Sequence, residues 1–257
     1  MTLRTSFTLL LGTILIAGCN VSAEDTSPDT ELVAQYEDAR IIEEGTTVTV
    51  YVMRGDDEDP YFSAETLDLG GLFVMGDPDA PHLVVEVADL QCPWCARSHD
   101  AIRTEKADLI ESGAIKWAFL DFPLPSHGRA PEAHSWARCL GMEHPSAFFA
   151  AVDRLYETQE SWSSGGPPQW AEILDGLGVS EDTERCVRDA RPWPAIEANR
   201  DRGIERGVTG TPGYFIANLP VSGMLQSGRI SGILDVVEQQ GLQGTLESTG
   251  IPLRENQ

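Results

Sequence analysis

The chain has 257 residues and sets 41 acidic against 18 basic side chains, for a net charge of −23. With 41% apolar and 23% charged residues, it has core material for one large domain or two small ones; this excludes a multi-span membrane protein and a chain disordered throughout. The charge argues against nucleic acid as a partner, because a polyanion is repelled.

The first element is an address. Arg4 precedes the apolar run Phe7–Ala17, which is too short for a bilayer span of roughly 20 residues and suits the core of a secretory signal. The run ends in Leu15-Ile16-Ala17-Gly18-Cys19, which resembles the lipobox of bacterial lipoproteins. That resemblance implies a signal peptide over 1–18, lipidation of Cys19 and a membrane anchor facing the periplasm or another extracytoplasmic space. Asn20 then points to outer-membrane sorting in a Gram-negative cell. The competing site Val21-Ser22-Ala23 would instead release a soluble periplasmic protein. Either cut leaves four cysteines in a compartment that permits disulfides.

Residues 19–30 read as the lipidated Cys and a polar tether, and 31–64 as an acidic N-terminal extension. Residues 24–80 carry 16 acids against only Arg40 and Arg54. Within this stretch Glu31–Glu44 is expected to form a short helix, Thr46–Met53 a strand and Asp56–Pro60 an acidic turn. The extension either adds a strand to a sheet or serves as an acidic spacer.

From residue 65 the pattern changes. Leu67–Met75 and His82–Ala88 read as strands, Trp94–Glu111 as a helix and Ala114–Leu120 as a strand, which makes a βαβ unit. Helical segments near 131–142, 145–160, 168–177, 180–190 and 194–206 follow, separated by Pro, Gly and Ser. Gly213–Ala217 and Pro220–Leu225 then read as a hairpin and Gly228–Gln240 as a last helix. The expected organisation is a first part over 65–126, a helical insertion over 127–206, a second part over 207–243 and a tail over 244–257.

Cys92-Pro93-Trp94-Cys95 sits where the buried strand gives way to the helix. This spacing brings both sulfurs to one helix N-terminus, where free N–H groups and the macrodipole favour a thiolate at Cys92. Such a thiolate is both nucleophile and leaving group, and Cys95, one turn further in, resolves a mixed disulfide. With Asp77–Pro81 before it and Gly207-Val208-Thr209-Gly210-Thr211-Pro212-Gly213 after it, the motif resembles the DsbA-like thioredoxin-fold family, in its lipid-anchored branch. The resemblance covers about residues 65–240 and implies an α/β thioredoxin fold with an inserted helical domain.

It also implies a protein thiol–disulfide oxidoreductase acting on cysteine-containing substrates and recycled by a redox partner. No metal or organic cofactor is expected. Pro212 would be cis, and Thr211 before it would pair with an extended substrate strand. In the family an acid at the offset of Glu86 lies beneath the disulfide and exchanges a proton with the second cysteine; the plainer reading is a surface Glu on an edge strand. Trp94 would present an aromatic ring to substrates. His99 either tunes the thiolates and lines the rim or packs at the helix surface.

Cys139 and Cys186 match cysteines that bridge two helices in this branch; two unpaired thiols are the alternative. A zinc site would need both to approach Cys92 and Cys95, and only one pair is close-spaced. Phe122-Pro123-Leu124 and His127 resemble the entry to the helical insertion and read as packing and turn residues. The Pro-Trp dipeptide leaves an oxidase and a reductase or isomerase both open, beside a peptide-binding module that keeps the fold.

Overall fold

Unbroken apolar runs build a six-stranded sheet at the centre of the molecule, and the computed structural model describes residues 28–254 around it. Cys19, its lipobox and most of the tether lie outside the described residues.

The polypeptide enters through α1 (Pro28–Ala34) and β1 (Arg40–Ile41), then forms the hairpin of β2 (Thr47–Arg54) and β3 (Tyr61–Asp68). β4 (Phe73–Met75), β5 (His82–Ala88), α2 (Pro93–Glu111) and β6 (Ile115–Asp121) follow. The inserted helices are α3 (Ala130–Glu143), α4 (Pro145–Glu157), α5 (Gln159–Ser163), α6 (Trp170–Ile173), α7 (Glu181–Arg188) and α8 (Trp193–Glu205). β7 (Gly213–Ile216), β8 (Leu219–Ser222), α9 (Arg229–Ser248) and β9 (Leu253–Arg254) complete the fold.

The central sheet runs β1-β4-β6-β5-β7-β8, with β5 and β6 parallel and the other pairs antiparallel. This is the thioredoxin arrangement with an added edge strand. Side chains alternate across it. Val84 and Ala88 of β5 face a core shared with Cys92, Cys95 and Ile102, and with Phe148 of α4. Val85 and Val87 face the opposite way, into a second core with Val50, Val52, Leu67 and Phe215. Helices therefore cover one face, and a three-stranded sheet ordered β2-β3-β9 covers part of the other.

The extension over 31–64 is thus no spacer. It supplies an edge strand to the central sheet and most of a second sheet. Its expected helix stops at Ala34, because Asp38 and Arg40 bond to Gly76 N–H and C=O and pull the following residues alongside β4. The expected strand Leu67–Met75 is two strands in different sheets, broken where the Asp68 carboxylate accepts Gly70 N–H. The β2–β3 hairpin therefore straddles the expected boundary at 64/65. The tail over 244–257 is also structural in its described part: Leu246 is buried, Pro252 C=O accepts Phe62 N–H, and β9 pairs with β3.

The insertion is held by a Cys139–Cys186 disulfide between α3 and α7. α7 starts on a capping box of Ser180 and Thr183. Gly141 lets α3 approach β4: a Cβ there would lie 2.6 Å from the Phe73 ring, which stacks on Phe148 at 4.1 Å between centroids.

Candidate active site

The redox motif is shaped by the loop between β5 and α2. Asp89, fully buried, folds that loop: its Oδ1 accepts Gln91 N–H at 2.6 Å and its backbone carbonyl accepts Cys92 N–H at 3.0 Å. Its Oδ2 accepts Leu124 N–H and contacts His127 Nδ1, both at 2.7 Å. The Leu124–His127 turn thus braces the loop, and the reading of these residues as turn and packing residues agrees with that geometry. From the insertion, Gln159 Nε2 donates to Leu90 C=O at 2.8 Å and Cys92 C=O at 3.1 Å. Gln91 Oε1 accepts Arg129 N–H at 2.7 Å.

Cys92 is the N-cap of α2, with Pro93 just inside the helix, where its missing N–H costs nothing. Cys92 and Cys95 are both free thiols, and both are buried. The Thr211–Pro212 peptide bond is cis, and Thr211 C=O lies 3.4 Å from Cys92 Sγ as hydrogen-bond acceptor. The fold therefore brings together two loops 119 residues apart in the sequence. Trp94 projects outward with 53% of its surface exposed, and the Arg97 guanidinium sits 4.7 Å from its ring centroid.

The two sulfurs differ in their electrostatics. Cys92 is drawn down to about 6, first by the hydrogen bond from Cys95, then, against burial, by the Thr211 side chain and by the N–H groups of Cys95 and Trp94. Cys95 is pushed well above its ordinary value by burial and by the Cys92 sulfur beside it. One thiol is therefore poised as a thiolate and the other holds its proton.

Glu86 lies on the β5 face that α2 covers, between Val84 and Ala88. It is buried to 2% exposure, which rules out the surface, edge-strand reading, since β5 is flanked by β6 and β7. Trp117 Nε1 donates to its Oε2 at 3.1 Å, and its Oε1 has no partner among the described residues. Burial raises its pKa, opposed by Lys106 and His99.

His99 does not line a substrate rim. It is buried against the Tyr156 ring, with Nε2 2.9 Å from Asp153 Oδ1. Cys139 and Cys186 are paired with each other away from the motif. Sequence reasoning missed Asp89, Lys106, His134, Asp153 and Gln159. Only Asp89, a lone polar residue ending an apolar strand next to the motif, left a local signal.

A family model described as thioredoxin matches residues 69–236. The protein is 24% identical over 155 residues to disulfide bond formation protein D of Bacillus subtilis, covering 56% of this chain and 66% of that one. It is 28% identical over 144 residues to Na(+)/H(+) antiporter NhaA 3 of Salinispora tropica, of which it spans only 21%. Among solved structures, alpha-DsbA1 of Wolbachia pipientis superposes with a TM-score of 0.55 at 21% identity, covering 68% of this chain and 93% of that one.

Proposed function

Because the chain belongs to the thioredoxin family and has the DsbA-like form of its fold, we propose that it is an extracytoplasmic thiol–disulfide oxidoreductase acting on protein cysteines. The observation that carries this reading is the placement of Cys92, a buried low-pKa sulfur at a helix N-terminus, 3.4 Å from the carbonyl before a cis proline.

In the oxidising direction a substrate thiolate attacks the Cys92 sulfur of the Cys92–Cys95 disulfide. The S–S bond breaks, Cys95 leaves as a thiolate and takes a proton, and Glu86 is the buried acid positioned to supply it. The substrate's second thiolate then attacks its own sulfur in the mixed disulfide. Cys92 leaves as a thiolate, stabilised by the N–H groups of α2. Two electrons have passed from substrate to enzyme, and a redox partner must remove them. Thr211 and Pro212 hold the substrate strand, and Trp94 offers it an exposed ring. The reverse sequence gives reduction, so direction follows from potential.

Insulin reduction and refolding of scrambled ribonuclease, run on the wild type and Cys92→Ser, test this. Activity is expected only with Cys92 present; equal activity in both proteins overturns the proposal. The lipobox supports a lipid anchor at Cys19, and Cys19→Ala is expected to move the protein from the membrane to the soluble fraction. Unchanged fractionation would favour cleavage after Ala23.

A further inference from the structure

Four loops close around the redox motif, and none of them carries a carboxylate. Thr211 brings 207–213 to Cys92, and Gly223 N–H, donating to Pro212 C=O at 2.9 Å, brings 222–228. Leu225 N–H donates to Ser98 Oγ at 2.9 Å and ties that second loop to α2. Gln91 Nε2 donates to Ser163 C=O at 3.3 Å and brings 161–169, while Asp89 brings 122–128. In a chain with 41 acids, the whole stretch 206–234 has none, and neither have 90–99, 122–131 and 161–171. Asp89 itself is fully buried. The loops around Cys92 are therefore free of acidic side chains on a protein whose net charge is −23.

Arg97 stands exposed beside them, near the start of α2. Other surface arginines are neutralised by an acid three residues earlier: Arg103 pairs with Asp100 at 3.1 Å and Arg185 with Asp182 at 2.6 Å. At the same offset Arg97 has Trp94, whose ring centroid lies 4.7 Å from its guanidinium carbon. An aromatic ring pins a guanidinium without cancelling its charge and leaves the planar fork of N–H donors open. Among the described residues Arg97 pairs with no carboxylate. Arg129, beside the same loops, is occupied by the backbone carbonyls of Trp162, Ser164 and Gly165, and His127 by the buried Asp89.

We infer that Arg97, held on the Trp94 ring, is a specificity-determining residue that selects substrate proteins carrying an Asp or Glu beside the reactive cysteine. The inference rests on the thiol–disulfide exchange proposed for Cys92 and names the substrate class of that same site. Trp94 stands between the two redox cysteines, so a guanidinium held on its ring borders any chain joined to Cys92. A carboxylate on that chain meets the planar fork, whose geometry suits bidentate pairing. Elsewhere the net charge of −23 repels an acidic chain. Around Cys92 that repulsion is locally lifted, because the loops hold no carboxylate, and Arg97 adds attraction. A basic flank beside the substrate cysteine meets like charge there instead.

The test uses the oxidised protein and two dithiol peptides that differ only in Glu or Gln next to the reactive cysteine, with dithiothreitol as a reference. The readout is the ratio of their second-order rate constants, Glu over Gln, at low salt. Arg97→Gln is expected to lower this ratio by about threefold, the scale of one exposed ion pair. Arg97→Glu is expected to lower it further, and Arg97→Lys, which keeps the charge but not the fork, to restore part of it. For the wild type the ratio is expected to fall to the Arg97→Gln value in about 1 M salt, where exposed charges are screened. Arg185→Gln removes the same charge from α7 and is expected to leave the ratio intact. A ratio shared by the wild type, Arg97→Gln and Arg97→Glu, or lowered equally by Arg185→Gln, with dithiothreitol still oxidised, overturns the role of Arg97 and leaves the oxidoreductase reading standing. No exchange with dithiothreitol or either peptide overturns the oxidoreductase reading and this role with it.

Discussion

His134 Nε2 accepts the backbone N–H of Leu90 at 3.2 Å, two residues before the first cysteine of the redox motif. Because that nitrogen accepts, the ring proton sits on Nδ1, which faces Asp121 Oδ1 at 2.7 Å. Asp121 in turn takes Arg138 at 2.5 Å and Asn199 at 2.8 Å. Burial opposes the Asp121 charge, but Arg138, His134 and Asn199 outweigh it and hold the carboxyl far below its usual range. A buried polar network rooted in α3 and α8 thus fixes the backbone that carries Cys92.

His134→Phe keeps a ring of similar size but leaves Leu90 N–H buried without an acceptor and Asp121 one donor short. The cost is expected to be about 2 kcal/mol. Denaturant unfolding measures it, and hydrogen exchange at the Leu90 amide is expected to quicken. An unchanged midpoint with unchanged exchange would mean that the network does not brace the loop.

The strands and helices with strong periodicity were legible in the sequence: His82–Ala88 is β5, Trp94–Glu111 all but coincides with α2, and the helical block falls where its Pro and Gly punctuation puts it. Tyr61–Asp68 was not legible as a strand, because Ser63, Glu65 and Thr66 dilute its apolar pattern. It is a strand because β2 lies beside it and the central sheet beneath it. The two residues of β9 carry no pattern at all and are ordered by pairing with β3. At the site, Cys92, Cys95 and Pro212 announce themselves by spacing. His134 and Gln159 act across sequence separations of 44 and 69 residues from Leu90, a relation that no local motif records.

The Cys92 thiol, drawn down to about 6, lies below the ordinary cysteine value near 8.5. A depressed acid stabilises the fold above its unfolded value and loses that contribution as pH falls through the folded one. The reduced protein is therefore expected to gain stability from about pH 6 to about pH 8.5, a rise absent from Cys92→Ser. Alkylation by iodoacetamide is expected to titrate near pH 6. Because about 6 lies between thioredoxin, about 7, and DsbA, about 3.5, the couple is expected between about −270 and about −120 mV. Equilibration with glutathione measures it; a value below that range would make the protein a reductant.

The Cys139–Cys186 bridge spans 47 residues, for which the loop-closure entropy relation gives about 4 kcal/mol. Cys139→Ala with Cys186→Ala is expected to lower Tm by roughly 8–16 °C. The pair lies apart from the redox motif, so the potential of the Cys92/Cys95 couple is expected to stay within about 15 mV of the wild type. Calorimetry and glutathione equilibration on the same variant separate the two effects, and a large change in potential would couple the insertion to the chemistry.

Glu86 is an acid whose folded pKa is raised, mainly by burial, with Lys106 and His99 of α2 and the Trp117 N–H opposing and Asp153 of α4 adding to the rise. Tyr214 of β7 and Cys95 face the same space. The native state holds this proton more tightly than the unfolded state does, so stability falls as pH rises through the ordinary Glu value near 4.3 towards the raised one. Glu86→Gln keeps the shape and removes the ionisable proton. It is expected to be more stable than the wild type at neutral pH, with the difference closing below about pH 4. The same variant lacks the group assigned to proton exchange with Cys95, so its exchange with a dithiol substrate is expected to slow by about tenfold or more. The two readouts separate two roles: a stabilised variant with full exchange rate would leave Glu86 a buried strain on the fold with no part in proton transfer, whereas a stabilised variant with slowed exchange would assign the transfer to this carboxyl.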